Sequence, residues 1–244
     1  MTAPVTVLGE ALIDIVVPLS GEVTEHVGGS PANVTVGLAR LGHETTLVTH
    51  IGTDERGQRI SGLLDNEGIS LASGSKTAHH TPTATAHLDA AGVATYDFDL
   101  EWMVDPTALI APGSHVHTGS IAVTLPPGAE SVRKLVEAAR PHSTVSYDPN
   151  ARPSLMGDSA VARDTVEGMI ALADVVKASD EDIAWLYPDA SVAEVLHAWA
   201  SIGPRLCVAT QGGDAVIVLV AGELHEVGAR KVPVADTVGA GDSF

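Results

Sequence analysis

The chain has 244 residues, 45% of them hydrophobic, with a mean hydropathy of +0.20, which is enough for one α/β domain with a large core. Its formal charge is −18, from 13 basic and 31 acidic side chains. Such a surface repels nucleic acid and anionic membrane, so an anionic ligand has to be held by local amides, a few cations and a metal ion.

Val5-Thr-Val-Leu-Gly9 reads as a short buried strand, and residues 11–17 continue extended with a single acid, Asp14, inside the apolar run. A lone carboxylate there is either functional or exposed at a strand end. In the stretch from Val27 to Gly42, Ser30 is a good N-cap and Pro31 suits the first helical position. Val34, Leu38 and Leu41 recur at helical spacing, and Gly42 suits the residue after the helix. Asn33 then lies in the first turn, beside Gly28 and Gly29. Residues 45–51 form a strand. Gly52-x-Asp54-x-x-Gly57 turns into a helix carrying Ile60, Leu63 and Leu64, with Asn66-Glu-Gly68 as its stop; an architectural, capped helix start explains that motif. Residues 83–89 and 94–100 alternate across a turn at Ala91-Gly92, a hairpin signal that fits poorly in a parallel core. Tyr96, Phe98 and Trp102 gather much of the scarce aromatic content and either contact a ligand or pack this hairpin on a partner. His79 and His80 make no metal site at their spacing without further ligands.

From residue 114 onward strands and helices alternate. His115–Ser120 is a strand end, 128–140 a helix, 143–148 a strand, 161–172 a helix and 175–179 a strand. Val192, Val195, Leu196 and Trp199 share a helix face before a strand at 206–210. Residues 215–220 and 223–227 form a hairpin around Ala221-Gly222, feeding Val232-Pro-Val-Ala into the chain end. This rhythm predicts a doubly wound, mostly parallel sheet with helices on both faces, and ligands at the strand C-termini. Three strand ends carry polar residues: Asp148-Pro-Asn-x-Arg152, Lys177-Ala-Ser-Asp-Glu-Asp182 and Thr210-Gln-Gly-Gly213. Cys207 sits in an apolar run as a buried thiol, with no second cysteine for a disulfide. A basic-then-apolar leader is missing, as is any apolar run of 18 residues, so a cytoplasmic location is expected.

The last nine residues, Asp236-Thr-Val-Gly-Ala-Gly-Asp-Ser-Phe244, bring two glycines and an alanine directly before Asp242. Small residues leave successive amides uncovered, and a turn of this kind opening a helix makes an anion site. A carboxylate beside a bound phosphate suits a group that takes a proton from the attacking nucleophile. A glycine-rich turn capped by Asp or Ser is the plainer explanation. No Gly-x4-Gly-Lys-Ser/Thr is present, and no Gly-x-Gly-x-x-Gly follows the first strand, which argues against a P-loop kinase and a dinucleotide-dependent dehydrogenase.

This terminal stretch and Gly28-Gly-Ser-Pro-Ala-Asn33, followed by Gly37-Leu-Ala-Arg-Leu-Gly42, together resemble the two signatures of the PfkB (ribokinase-like) carbohydrate kinases in their fructokinase-like form. The resemblance spans essentially the whole chain as one domain, 1–244, with a small β lid from strands within about 12–28 and 83–100. It implies a sugar kinase using ATP and Mg2+, with small-molecule partners and a homodimer formed through the lid as one option. Asp242 becomes the catalytic base and the amides of Gly239, Ala240 and Gly241 the anion hole. Asp14, Gly28, Gly29 and Asn33 line the sugar pocket. Asn150 and Arg152 reach phosphate or sugar, or form an ordinary capped loop. Ser179, Thr210 and Gly212 contact the nucleotide, Asp182 stands at a magnesium position, and Asp236 at a site for a monovalent cation such as K+. Where the family has Asn-x-x-Glu this chain has Ser179-x-x-Asp182, and the dipole of an acidic helix start explains those acids equally well. That departure supports a competing expectation, a non-catalytic sugar or nucleotide sensor on the same scaffold. Family members continue past the position of Phe244, so the resemblance implies a longer protein and no turnover from a chain ending there. Fructose is the favoured acceptor, with ribose, 2-keto-3-deoxygluconate or a nucleoside as alternatives.

Overall fold

In a computed structural model of the chain, residues 3–89, 94–230 and 239–244 are described. The chain runs through β1 (Val5–Leu8), β2 (Leu12–Val17), β3 (Thr24–Gly28), α1 (Ser30–Arg40), β4 (Thr45–Val48), α2 (Glu55–Asn66), β5 (Ser70–Leu71), β6 (Thr83–Leu88) and β7 (Ala94–Asp99). It continues with β8 (His115–Gly119), a 3-10 turn (Ser120–Val123), α3 (Gly128–Ala139), β9 (Thr144–Asp148), α4 (Pro153–Met156), α5 (Ser159–Ile170) and β10 (Val175–Ser179). Then come α6 (Asp180–Leu186), α7 (Val192–Ile202), β11 (Leu206–Gln211), β12 (Ala215–Val220) and β13 (Glu223–Gly228).

Among the described residues the main sheet has the order β5-β4-β1-β8-β9-β10-β11-β12-β13. It is parallel from β5 to β11 and antiparallel only at the β11–β12–β13 edge. The winding starts at β1, goes outward through β4 and β5, then outward the other way through β8 to β11. Strand order therefore reverses between β1 and β8, which opens a crevice beyond their C-terminal ends. Two apolar clusters lie on the two faces. Leu8, Val116, Tyr147, Val176, Cys207 and Leu219 pack with α3 and α5 to α7, while Val5, Val7 and Leu47 pack with α1 and α2. Strand alternation explains the split, because successive side chains point to opposite faces. Each fully buried Leu, Ile or Val contributes about 1.5–3 kcal/mol. Along the second face the register carries Val5 to His115 and Val7 to His117, then His117 to Ser146 and on toward Lys177. Helical cover thus gives way there to a half-buried polar strip.

A second sheet, β3-β2-β6-β7, stands over the crevice as the expected lid. Its strands are antiparallel except for the β2–β6 pair. The β6–β7 hairpin matches the alternation in the sequence, and its Ala91-Gly92 turn lies outside the described residues. Three local expectations are corrected. Gly29, not Ser30, occupies the cap position of α1, and no side chain caps it. Leu41 ends beyond that helix and is 78% exposed, because α1 stops at Arg40. Trp102 belongs to neither ligand nor lid: it is buried in the core and its Nε1 donates to the Ala122 carbonyl at 3.1 Å. Among the described residues no helix is long and apolar enough to cross a membrane.

Candidate active site

Two clefts meet at the C-terminal edge of the sheet. The larger, about 830 Å³, lies under the lid and is lined by Asp14, Gly28, Gly29, Ser30 and Asn33, among others. The lid register builds its roof, since Asp14 pairs with His26 on one side and Ala84 on the other, and Ala84 pairs with Phe98. Alternation turns this row, and the Val16–Ala86–Tyr96 row beside it, toward the cleft. The two alanines keep the surface low, and Tyr96 and Phe98 stack with centroids 5.9 Å apart, which places these rings at the cleft rather than in the core. Gly28 is small for a spatial reason, because a Cβ there would fall 1.9 Å from Asp14 Oδ2. Gly29 has φ +100, and a Cβ would meet the Glu10 carbonyl at 2.6 Å, so this bend into α1 requires glycine. Burial pushes the Asp14 carboxyl above its usual range, against the opposing charges of Arg152 and His26.

The smaller cleft, about 170 Å³, is lined by Asn150, Arg152, Lys177, Ser179, Asp182 and Thr210 together with residues 239–242. Gly239 adopts φ +69, and Ser243 donates from both its amide (3.0 Å) and its Oγ (2.9 Å) to the Gly239 carbonyl, closing a tight turn. Lys177, on β10, ties this turn down. Its Nζ donates to Asp148 Oδ2 at 2.8 Å and to the Gly241 carbonyl at 2.9 Å. Burial pushes the Asp148 carboxyl up to about 6 despite that ammonium partner.

Asp242 borders both clefts. Its Oδ1 accepts from Ser30 Oγ at 2.6 Å and from Asn150 Nδ2 at 3.4 Å, and its Oδ2 accepts from Asn33 Nδ2 at 2.9 Å. Three donors, two from the first turn of α1 and one from the loop after β9, therefore aim one carboxylate at the junction. The structure brings together Asp14, Gly28, Gly29, Asn33, Gly239, Ala240, Gly241 and Asp242 as expected from sequence. Ser179 and Asp182 also line the smaller cleft, but they form a capping box on α6: Ser179 Oγ accepts from the Asp182 amide and Asp182 Oδ2 from the Ser179 amide. Asp182 Oδ1 accepts from Ala151 N at 2.8 Å, so both its oxygens already hold main-chain amides. No group of three or more His, Cys, Asp or Glu among the described residues is arranged for a metal ion. Thr210 lines the cleft, whereas Gly212 is exposed in the β11–β12 turn and is not part of its wall. Asp236 lies outside the described residues.

Sequence reasoning missed two contributors. Ser30 looked like a cap, and its second role depends on a residue 212 positions away. Glu10, buried at the end of β1, lines the larger cleft. Its only advance signal was an acid next to a buried strand.

A mostly parallel α/β sheet, a lidded cleft carrying Asp14 and Asn33, and a smaller cleft with Lys177 and the 239–242 turn that shares Arg152, Gly239 and Asp242 with it are the frame of a phosphotransferase acting on a polyol. The model of the pfkB family carbohydrate kinases matches residues 3–244, and the chain belongs to that family. It is a sugar kinase. The fructokinase of Klebsiella pneumoniae is 32% identical over 100% of this chain and 82% of its own length. The crystal structure of a Vibrio cholerae fructokinase bound to fructose, ADP and calcium aligns with TM-score 0.86 at 27% identity, covering 98% of this chain and 80% of that one. A double mutant of the Vibrio cholerae enzyme, bound to fructose, ADP and potassium, gives TM-score 0.83 at 25% identity over 98% and 81%.

Proposed function

We propose that the protein transfers the γ-phosphoryl group of ATP to a hydroxyl of fructose or a closely similar sugar, with Asp242 as general base. The observation that carries this reading is the position of Asp242 on the wall shared by the two clefts. The sugar occupies the larger cleft, its hydroxyls bonded to Asp14, whose two oxygens can accept from neighbouring hydroxyls, and to Asn33. The phosphates occupy the smaller cleft against Lys177, Arg152 and the amides of residues 239–242. Phosphoryl transfer has a loose transition state, so alignment and charge stabilisation supply most of the acceleration. Asp242 removes the hydroxyl proton as the bond to phosphorus forms, and the lid excludes water from the junction. Magnesium, when bound with the nucleotide, offsets phosphate charge. With both its oxygens held by amides, Asp182 would give that ion little direct support. Potassium is a further expected ligand, in line with the relative that holds it.

Intact proton acceptor geometry favours turnover over a sensor. Asp242→Asn should lower kcat by about 10²–10⁴-fold, about 3–5 kcal/mol in barrier, while the sugar dissociation constant changes little. Coupled ADP-release kinetics with a panel of sugars, alongside calorimetry, checks both. Near-normal turnover in that variant would remove Asp242 from its role, and binding without turnover in the native protein would favour the sensor.

A further inference from the structure

Glu10 sits where the chain leaves β1 of the main sheet for β2 of the lid. It is 4% exposed, and its Oε2 has no hydrogen-bond partner among the described residues. The Ser120 hydroxyl, from the turn after β8, reaches the same carboxyl. Arg152, just before α4, and Asp242 face it with opposite charge effects, and all three line the larger cleft. Asp14, His26 and Tyr96 are the other titratable groups on that wall. An ionised carboxylate with one oxygen unpaired in such a place is disfavoured, and buried unsatisfied atoms in native proteins call for a reason. Burial pushes the Glu10 carboxyl up to about 8, with its own main-chain amide, the Ser120 hydroxyl and the Arg152 charge opposing the rise and Asp242 reinforcing it.

The neighbouring Arg152 is already engaged. Its Nη1 donates to Asn150 Oδ1 at 2.7 Å, to the Asn150 carbonyl at 3.1 Å and to the Ala151 carbonyl at 3.0 Å. Holding Asn150 Oδ1 fixes the amide so that Nδ2 faces Asp242 Oδ1. We propose that Glu10 is a positioning residue for phosphoryl transfer: as an uncharged acid it leaves Arg152 on Asn150, and so keeps the Asn150 amide turned toward Asp242. Once Glu10 loses its proton to solvent, the bare Oε2 draws the guanidinium away, the Asn150 amide is released, and a second negative charge stands beside Asp242 and the phosphoryl oxygens. This inference rests on the kinase reading above.

The test compares the pH dependence of kcat for sugar phosphorylation in the native protein and in Glu10→Gln, which is uncharged at every pH. With a midpoint near 8, native kcat should fall about tenfold from pH 7 to pH 9, with a smaller change in KM for the sugar. In Glu10→Gln that fall should vanish, raising the ratio of kcat at pH 9 to pH 7 about tenfold. A merely structural role would lower activity equally at all pH values, and equal falls in the two proteins overturn the proposal. Infrared spectra of native protein carrying 13C-labelled glutamate provide a second measurement that needs no variant. A protonated glutamate carbonyl band at pH 7 that fades as pH passes 8 is expected, and its absence overturns the proposal even if Glu10→Gln fails to fold. A protein that shows the band yet phosphorylates no sugar overturns the kinase reading instead, and the positioning role with it.

Discussion

Ser30 would cap a helix if local chemistry alone decided, yet its hydroxyl donates to Asp242 at 2.6 Å. Charge-assisted bonds of this kind contribute about 1.5–3 kcal/mol, roughly twice a neutral one. Ser30→Ala should therefore lower kcat/KM about tenfold or more in steady-state assays. Because the side chain caps nothing, the loss of stability in urea should stay within the value of that one bond, and a larger loss would restore the capping role. Asn33→Ala removes the bond on the other oxygen, and the two substitutions should combine non-additively because they hold one carboxylate. Lys177 shows the same economy, with one ammonium neutralising buried Asp148 and gripping the Gly241 carbonyl.

At the scale of elements, the start of α2 joins the main domain to the approach to the lid. Asp54 Oδ1 accepts from the Gly57 amide at 2.8 Å and from Thr81 Oγ1 at 2.5 Å, and its Oδ2 from the Thr81 amide at 2.7 Å. Gly57 has to be glycine, since a Cβ would lie 2.0 Å from the Gly52 carbonyl. The sequence motif thus has the architectural purpose expected of it, with one addition: its aspartate also anchors the segment leading into β6. Asp54→Ala should cost about 1 kcal/mol for the cap and more for the stranded Thr81 amide. Urea unfolding would measure it, and a loss confined to the cap value would show the Thr81 bonds to be unimportant. From the same helix, Arg56 and Arg59 both bond Glu25 on β3, a second link from body to lid.

Across the whole molecule, the polar strip on the second face of the sheet sets a pH response. Burial pushes the His117 imidazole down to about 3, with the charges of His115 and Lys177 acting the same way, and burial also lowers His115. The unfolded chain takes up that proton near 6.5, whereas the folded state does so only near 3. The stability tied to a neutral His117 is therefore full above pH 6.5 and is lost as pH falls toward 3. Buried acids with raised values, Asp148 and Glu10, act in the opposite sense: their contribution fades as pH rises through about 6 and about 8. His117→Gln isolates the histidine, and thermal unfolding of that variant should lose less between pH 7 and pH 4.5 than the native protein does. Equal losses would show that His117 is solvated in the folded state.

Local pattern by itself determined the alternating strands and helices, the β6–β7 hairpin and the glycine bends at Gly28–Gly29 and Gly239–Gly241, while Asp242 stood out only through the family resemblance of its stretch. Each of those local features follows from periodicity or from conformations that only certain residues tolerate nearby in the chain. Tertiary structure alone decided that Ser30 serves Asp242 rather than its helix, that Trp102 is core, that the Asp182 oxygens bind amides, and that Glu10 is buried with one oxygen unpaired. Those outcomes depend on which strand ends meet at the reversal between β1 and β8. Hydrogen bonds between groups up to 212 positions apart leave no trace in local spacing, so only the folded chain could reveal them.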